Sequence, residues 1–292
     1  MGKKVSIIMI GKEFDNGVLT TIKYWKNQSY KNKELIFVIP EDNLKINGVK
    51  IIKDPKKGPS YARNIGVKNS TGQIIIFSDS DKNRTFINEK DFIKQIMEIF
   101  NKKDVDYVFA DYLPYLNKNI FRNSINIKDF GSRSSAVKHL PEAYSKKILG
   151  NTPFNDKLEY GEDKFLFEKV KKRSKKYGSI KMPILKDSCL IDISSFISRY
   201  KWYGKTIKKY MKEKKDYKPI INILFGFVFI ASFFVNLWII PISFVLFVYY
   251  KQRKILKYCI KKKAFISFLV SPFISIISYL IIAIFFIQSL FI

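Results

Sequence analysis

Two stretches of this 292-residue chain carry no charged side chain, Pro219–Tyr250 and Ala264–Ile292. They constrain the fold strongly, because the chain as a whole has a formal net charge of +28. Each run exceeds the roughly 20 apolar residues that span a bilayer. Buried helices of soluble proteins rarely run so far without a charge, so both runs are read as membrane-inserted. The chain therefore divides into a body over residues 1–204, a basic amphipathic juxtamembrane helix over 205–218, and an anchor over 219–292. The anchor is expected to hold two or three hydrophobic helical segments.

The basic excess is not confined to the anchor. Seven cationic residues and no carboxylate follow Lys218, which leaves +21 of the +28 on the first 218 residues. Such a surface suits nucleic acid, phosphorylated ligands or an anionic membrane. Beside an anchor the anionic membrane is the economical partner, and nucleic acid is not expected. Lys205–Lys218 and Lys251–Lys263 are both strongly basic, and cationic flanks prefer the cytoplasm. A hairpin through Pro219–Tyr250, bent near Asn236 and Pro241, keeps both on that side, whereas one tilted crossing separates them. The expected location is the cell membrane, multi-pass, with the body cytoplasmic. Cys189 and Cys259 lack metal-ligand spacing, so zinc is not expected. Cys259 falls in the basic segment, where a labelling reagent is expected to reach it.

The body reads as α/β. Val5–Ile10, Glu34–Ile39, Val49–Lys53, Gln73–Phe77 and Asp106–Ala110 are short apolar runs of strand type. Between them, Gly17–Gln28, Pro59–Ser70 and Glu89–Phe100 show helical spacing, and Pro59 suits a first turn. Alternating strands and helices imply a mostly parallel sheet with helices on both faces. Asn117–Lys138, rich in Asn and Ser, reads as a long loop or lid. Pro141–Leu149 and Asp163–Lys172 read as helices, and Ser194–Lys215 as a basic amphipathic helix.

Chemistry concentrates where Ile74-Ile75-Ile76-Phe77-Ser78-Asp79-Ser80-Asp81 delivers two carboxylates from the end of a buried strand. Alternate residues of an extended segment point the same way. Asp79 and Asp81 are thus placed to share a hard divalent cation, which in turn holds a diphosphate. Taken alone, an Asp-x-Asp also fits a solvated turn. Arg63 suits diphosphate oxygens, or else a structural ion pair with a nearby carboxylate. Asn64 is a candidate for donor contact or for tying backbone together. Glu162 and Asp163 follow Gly161 and open a helix; Asp163 is the candidate general base, although acids at a helix start also simply favour its dipole.

Four segments stand in a known order: Val5-Ser6-Ile7-Ile8, then Gly58-Pro59-Ser60-Tyr61-Ala62-Arg63-Asn64-Ile65-Gly66, then Asp79-Ser80-Asp81, then Gly161-Glu162-Asp163. In this the chain resembles the catalytic domain of inverting family-2 glycosyltransferases over about residues 4–205. The resemblance implies the GT-A fold, with a nucleotide-sugar donor in the first half and the acceptor in the second. It implies Mg²⁺ or Mn²⁺ at Asp79 and Asp81, and a base from the Glu162–Asp163 pair. Glu41 and Asp42, after the second strand, would contact nucleobase or ribose. His139, the lone histidine, precedes the Glu-Asp pair and is expected at the acceptor site or the surface. The Gln-x-x-Arg-Trp signature of processive synthases is absent, so one sugar is expected per transfer. A UDP-sugar donor and a lipid-linked or envelope glycan acceptor fit a membrane-held enzyme. Nucleotidyl transfer and a non-catalytic basic membrane adaptor are the competing classes.

Overall fold

The computed structural model describes residues 2–41, 43–79, 91–130, 141–186, 192–215 and 239–290, together with Tyr217, Ile220, Leu224, Val228 and Ser232. They form two compact units, Met1–Tyr112 with Ser135–Leu185, and Leu113–Ser134 with Lys186–Ile292.

The first unit is built on a seven-stranded sheet in the order β3-β2-β1-β4-β6-β5-β7. Its strands are β1 (Val5–Ile10), β2 (Lys33–Ile39), β3 (Val49–Lys53), β4 (Ile74–Asp79), β5 (Tyr107–Pro114), β6 (Ala143–Ser145) and β7 (Tyr177–Lys186). The pairs β1–β2, β1–β4 and β2–β3 are parallel, and β6 runs antiparallel to both β4 and β5. Successive strand residues point to opposite faces. Ile7, Met9, Leu35 and Phe37 therefore pack on one side with Trp25, Phe92 and Ile96. Ile8 and Ile75 pack on the other with Val67, Tyr144 and Leu166, beside Ile36, Val38 and Ala62. Burial on both faces is why these strands read as continuous apolar runs. The helices of this unit are α1 (Asn16–Lys26), α2 (Pro59–Lys68), α3 (Phe92–Lys102), α5 (Lys146–Leu149) and α6 (Glu162–Arg173). Asp15 caps α1, accepting the Val18 N–H at 2.9 Å.

The second unit is helical: α4 (Ile120–Phe130), α7 (Ile193–Lys214), α8 (Ile239–Gln252), α9 (Leu256–Lys261) and α10 (Phe265–Leu290). In α7, Phe196, Tyr200, Ile207, Tyr210 and Met211 are buried, while Lys201, Lys205, Lys208, Lys209 and Lys212 are exposed. Their spacing is that of an amphipathic helix. Within α10, Phe265–Ser289 has a mean hydropathy of 2.5 and, among the described residues, is the one helix long and apolar enough to cross a membrane. One side of it buries Ser267, Ser271, Ser275 and Ser278; the other exposes Ile266, Leu269, Phe273, Ile277, Ile284 and Ile287.

Several local expectations are corrected. The expected lid holds a helix, α4, because its polar residues satisfy backbone instead of solvent. Asn119 accepts the Arg122 N–H at 2.9 Å, as an N-cap does, and Asn126 donates to the Tyr115 carbonyl at 2.7 Å. Ile125 and Ile127 are fully buried. Pro141–Leu149 is not one helix: Ala143–Ser145 pairs with β4 and β5 before the single turn of α5. Strand β7 went unpredicted. Cys259 is not accessible, being buried with Ile127, Ile255 and Phe268. Asp42, Asp81, His139, Cys189 and Asn236 lie outside the described residues.

Candidate active site

The sheet reverses its winding at β1. The chain passes from β1 outward through β2 and β3, then returns to place β4 on the other side of β1. The carboxyl ends of strands at such a switch point border the ligand crevice of open α/β sheets. Asp79, the last residue of β4, stands there, opposite Ile10 at the end of β1. Its neighbour Ser78 accepts a buried hydrogen bond from Trp25 Nε1 at 2.9 Å, which fixes the strand end to α1.

Helix α2 enters the same region after Gly58, whose φ of 101° is unfavourable for an L side chain. Along α2, Ala62 packs with Ile36 and Val38. A Cβ at Gly66 would collide with the Ile8 side chain, so glycine lets the helix lie close on β1. This packing accounts for the small residues of the Ala-Arg-Asn-x-Gly pattern and directs Arg63 and Asn64 into the site.

Arg63, 6% exposed, joins the two acidic segments. Its Nη2 donates to Asp79 Oδ1 at 2.9 Å and its Nη1 to Glu162 Oε1 at 2.8 Å. The guanidinium also lies 5.5 Å from the centre of the Phe154 ring. Glu162 and Asp163 occupy the first turn of α6, whose N-cap, Gly161, is left-handed with φ 70°. Asp163 is half-exposed whereas Glu162 is buried.

One guanidinium therefore faces three carboxylates, those of Asp79, Glu162 and Asp163. Burial alone would lower the Arg63 pKa, but the charges of Asp163, Asp79 and Glu162 outweigh it and hold the group firmly protonated. Burial, then Asp163, pushes the Glu162 carboxyl up to about 7 against the opposing pull of Arg63. Burial followed by the charge of Asp163 also raises the Tyr144 hydroxyl well above its usual range.

Of the residues singled out in sequence, Arg63, Asp79, Glu162 and Asp163 are brought together. Arg63 makes the structural ion pairs weighed above as its alternative role. Asn64 is taken up by backbone: its Oδ1 accepts the Phe154 N–H at 2.9 Å and its Nδ2 donates to the Phe154 carbonyl at 3.0 Å. Glu41 is exposed just beyond β2, and the Phe14 N–H donates to its Oε1 at 3.3 Å. Sequence reasoning missed Phe154, Ser60 and Tyr144, which come from loops, a helix face and a short strand with no periodic signal of their own.

Residues 6–138 match the family described as Glycosyl transferase family 2. No curated protein matches the chain in sequence. Among solved structures, it is similar to the mannosyltransferase PcManGT of Pyrobaculum calidifontis, determined with GDP-Man and Mn²⁺. That likeness has 11% identity and a TM-score of 0.53 over 95% of this chain and 88% of the other. A likeness to residues 1–349 of S. aureus TarS has 14% identity and a TM-score of 0.48, covering 69% of this chain. The chain spans 64% of that TarS fragment, less than two thirds of its length. Residues 6–138 thus match glycosyl transferase family 2, and the sheet has the GT-A fold.

Proposed function

We propose that the protein is a membrane-anchored, inverting, metal-dependent glycosyltransferase. It moves one sugar from a nucleotide diphosphate sugar, a UDP-sugar by preference, to a hydroxyl or phosphate of a lipid-linked or envelope glycan. The observation that carries this reading is the Arg63 bridge between Asp79 at 2.9 Å and Glu162 at 2.8 Å. It unites the strand-end carboxylate with the late acidic pair at the switch point, so donor and acceptor chemistry share one cluster.

In this reading each group has a task. Asp163, half-exposed at the head of α6, takes the proton of the acceptor hydroxyl as the sugar is attacked on the face opposite its leaving group. Arg63 orients Asp79 and adds positive charge where the leaving diphosphate gathers negative charge. Glu162 holds Arg63 in place. Asp79, with its side chain 29% exposed, and Asp81 offer hard oxygen donors that suit Mg²⁺ or Mn²⁺. Among the described residues no group of three or more His, Cys, Asp or Glu forms a complete metal shell. Such a cation, when bound, neutralises the leaving group.

Helix α10 and the charge-free run before it support the anchor, with the exposed lysines of α7 toward anionic headgroups. Nucleotide-sugars are cytoplasmic, which puts the catalytic unit on that side. The test is a screen of UDP-, GDP- and dTDP-sugars with and without Mn²⁺, using membranes as acceptor source. Release of nucleoside diphosphate is expected and must vanish in EDTA and in Asp81→Asn. Release of pyrophosphate would assign nucleotidyl transfer instead, and no turnover of any sugar nucleotide would leave the adaptor reading.

A further inference from the structure

The loop that leads into α6 is gripped by α2 at successive points. Asn64, 5% exposed, makes the two reciprocal bonds to the Phe154 backbone, and its Nδ2 also donates to Asp156 Oδ1 at 2.7 Å. One turn earlier, Ser60 Oγ donates to the Leu158 carbonyl at 2.5 Å. Between them, Arg63 stands over the Phe154 ring and binds Glu162. An amide nitrogen carries two protons. Those of Asn64 go to Phe154 and Asp156, so the side chain has no donor left for a diphosphate.

We propose that Asn64 is a positioning residue: by pairing with the Phe154 backbone and Asp156 it fixes the loop over residues 154–161, and with it the placement of Asp163. Of the two roles that the sequence left open for Asn64, donor contact or tying backbone together, this is the second. It deepens the glycosyl-transfer reading and rests on it. The side-chain type is prescribed by the geometry. An amide alone presents an acceptor to the Phe154 N–H and donors to both the Phe154 carbonyl and the Asp156 carboxylate. A carboxylate in its place would set negative oxygen against both acceptors. Misplacing a catalytic group by about 1 Å is enough to cost roughly 10²-fold in rate.

The experiment uses the full chain in detergent. Asn64→Ala, Asn64→Asp and Ser60→Ala are compared with the wild type in three ways. One is Mn²⁺-dependent affinity for whichever of UDP, GDP or dTDP the wild type binds. The second is turnover of the matching sugar nucleotide. The third is amide hydrogen exchange at Phe154. Asn64→Ala should lower kcat by roughly 10²-fold, leave nucleotide affinity within about twofold, and expose the Phe154 amide to exchange. Asn64→Asp should be no better, and Ser60→Ala should show a smaller loss of the same kind. Should the Asn64 variants fail to fold, Ser60→Ala carries the test. A loss of nucleotide affinity of about tenfold or more with kcat retained would make Asn64 a donor ligand and overturn the proposal. Full turnover with an unprotected Phe154 amide would overturn it too, since the clamp would then position nothing catalytic. A wild type that turns over no sugar nucleotide would instead reject the glycosyl-transfer reading, and the positioning role with it, while the exchange data still decide whether the clamp exists.

Discussion

Replacing Arg63 with methionine tests the charge arrangement directly. Methionine keeps most of the side chain's volume and removes its charge. Two charge-assisted hydrogen bonds, of 2.8 and 2.9 Å, are lost, and Asp79, Glu162 and Asp163 lose the positive charge of the guanidinium. Breaking a buried pair by removing one partner costs about 3–5 kcal/mol. Side-chain exposure is 12% for Glu162 and 29% for Asp79. Solvent therefore screens part of the Asp79 share, and a loss near the bottom of that range, about 3 kcal/mol, is expected near pH 8. For a unit of this size that is a fall of roughly 6–12 °C in Tm. The loss should depend on pH. The Glu162 carboxyl is raised from the ordinary 4.5 to about 7. Between these values the folded state binds a proton that the unfolded state does not. The stability linked to that proton is fully present below about pH 4.5 and is lost as pH rises through about 7. Without Arg63 the proton is held still more tightly, so the variant's deficit should be small at pH 5 and largest above pH 7. Thermal unfolding of the detergent-solubilised chain, followed by the buried Trp25, reads this at pH 5 and pH 8. Arg63→Lys, which keeps the charge without the two-pronged fork, should fall between. An equal deficit at both pH values, or one under about 1 kcal/mol at pH 8, would refute the three-carboxylate arrangement.

Other outcomes follow from the same geometry. Asp163→Asn keeps size but cannot take a proton; transfer should fall by about 10²–10⁴-fold with donor affinity unchanged, read by steady-state turnover beside calorimetry. Gly66→Ala drives a Cβ into Ile8 and should cost about 1–3 kcal/mol by overpacking, measured as a lowered unfolding midpoint with all site residues intact. The anchor is checked with a cysteine placed at exposed Lys262 in a background lacking Cys189 and the buried Cys259. An impermeant maleimide should label it in inverted vesicles and spare it in intact cells, and labelling from outside would reject the hairpin.

How much was legible in the sequence depended on how each residue satisfies its neighbours. The parallel strands β1, β2 and β4 announce themselves because both faces are buried and each carries a run of apolar side chains. Arg63, Asp79, Glu162 and Asp163 were legible as motifs, since a charged residue beside a strand end or helix start stands out against that background. Helix α4 was not, because Asn117, Asn119, Asn123 and Asn126 look like loop residues until their amides are seen bonding backbone around the helix. For Asn64 a backbone-tying role was one of two sequence readings, but which backbone it ties was hidden for the same reason. Its partners lie 90 or more positions away, and hydrogen bonds to backbone leave no trace in the residue types they join. Strand β6, three residues long, is set by its antiparallel neighbours and is too short to show a period.

The charge count of the cluster explains why one protein would need both a guanidinium and a divalent cation for a diphosphate donor. Among the described residues, Asp79, Glu162 and Asp163 bring three negative charges to the one positive charge of Arg63, and burial, followed by the charge of Asp163, raises the carboxyl of Glu162. A diphosphate entering alone would add negative charge to a site already in excess. Arg63 compensates it only in part, because both prongs of its fork are already engaged with Asp79 and Glu162. The proposed cation at Asp79 and Asp81 would supply the missing positive charge where the diphosphate arrives and lessen the hold of Asp79 on Arg63. On this account, donor affinity measured without a divalent ion should be weak at every pH above about 7, and should improve as the pH falls and Glu162 takes up its proton. Tight donor binding in EDTA at pH 8 would show that the excess negative charge is not felt at the diphosphate.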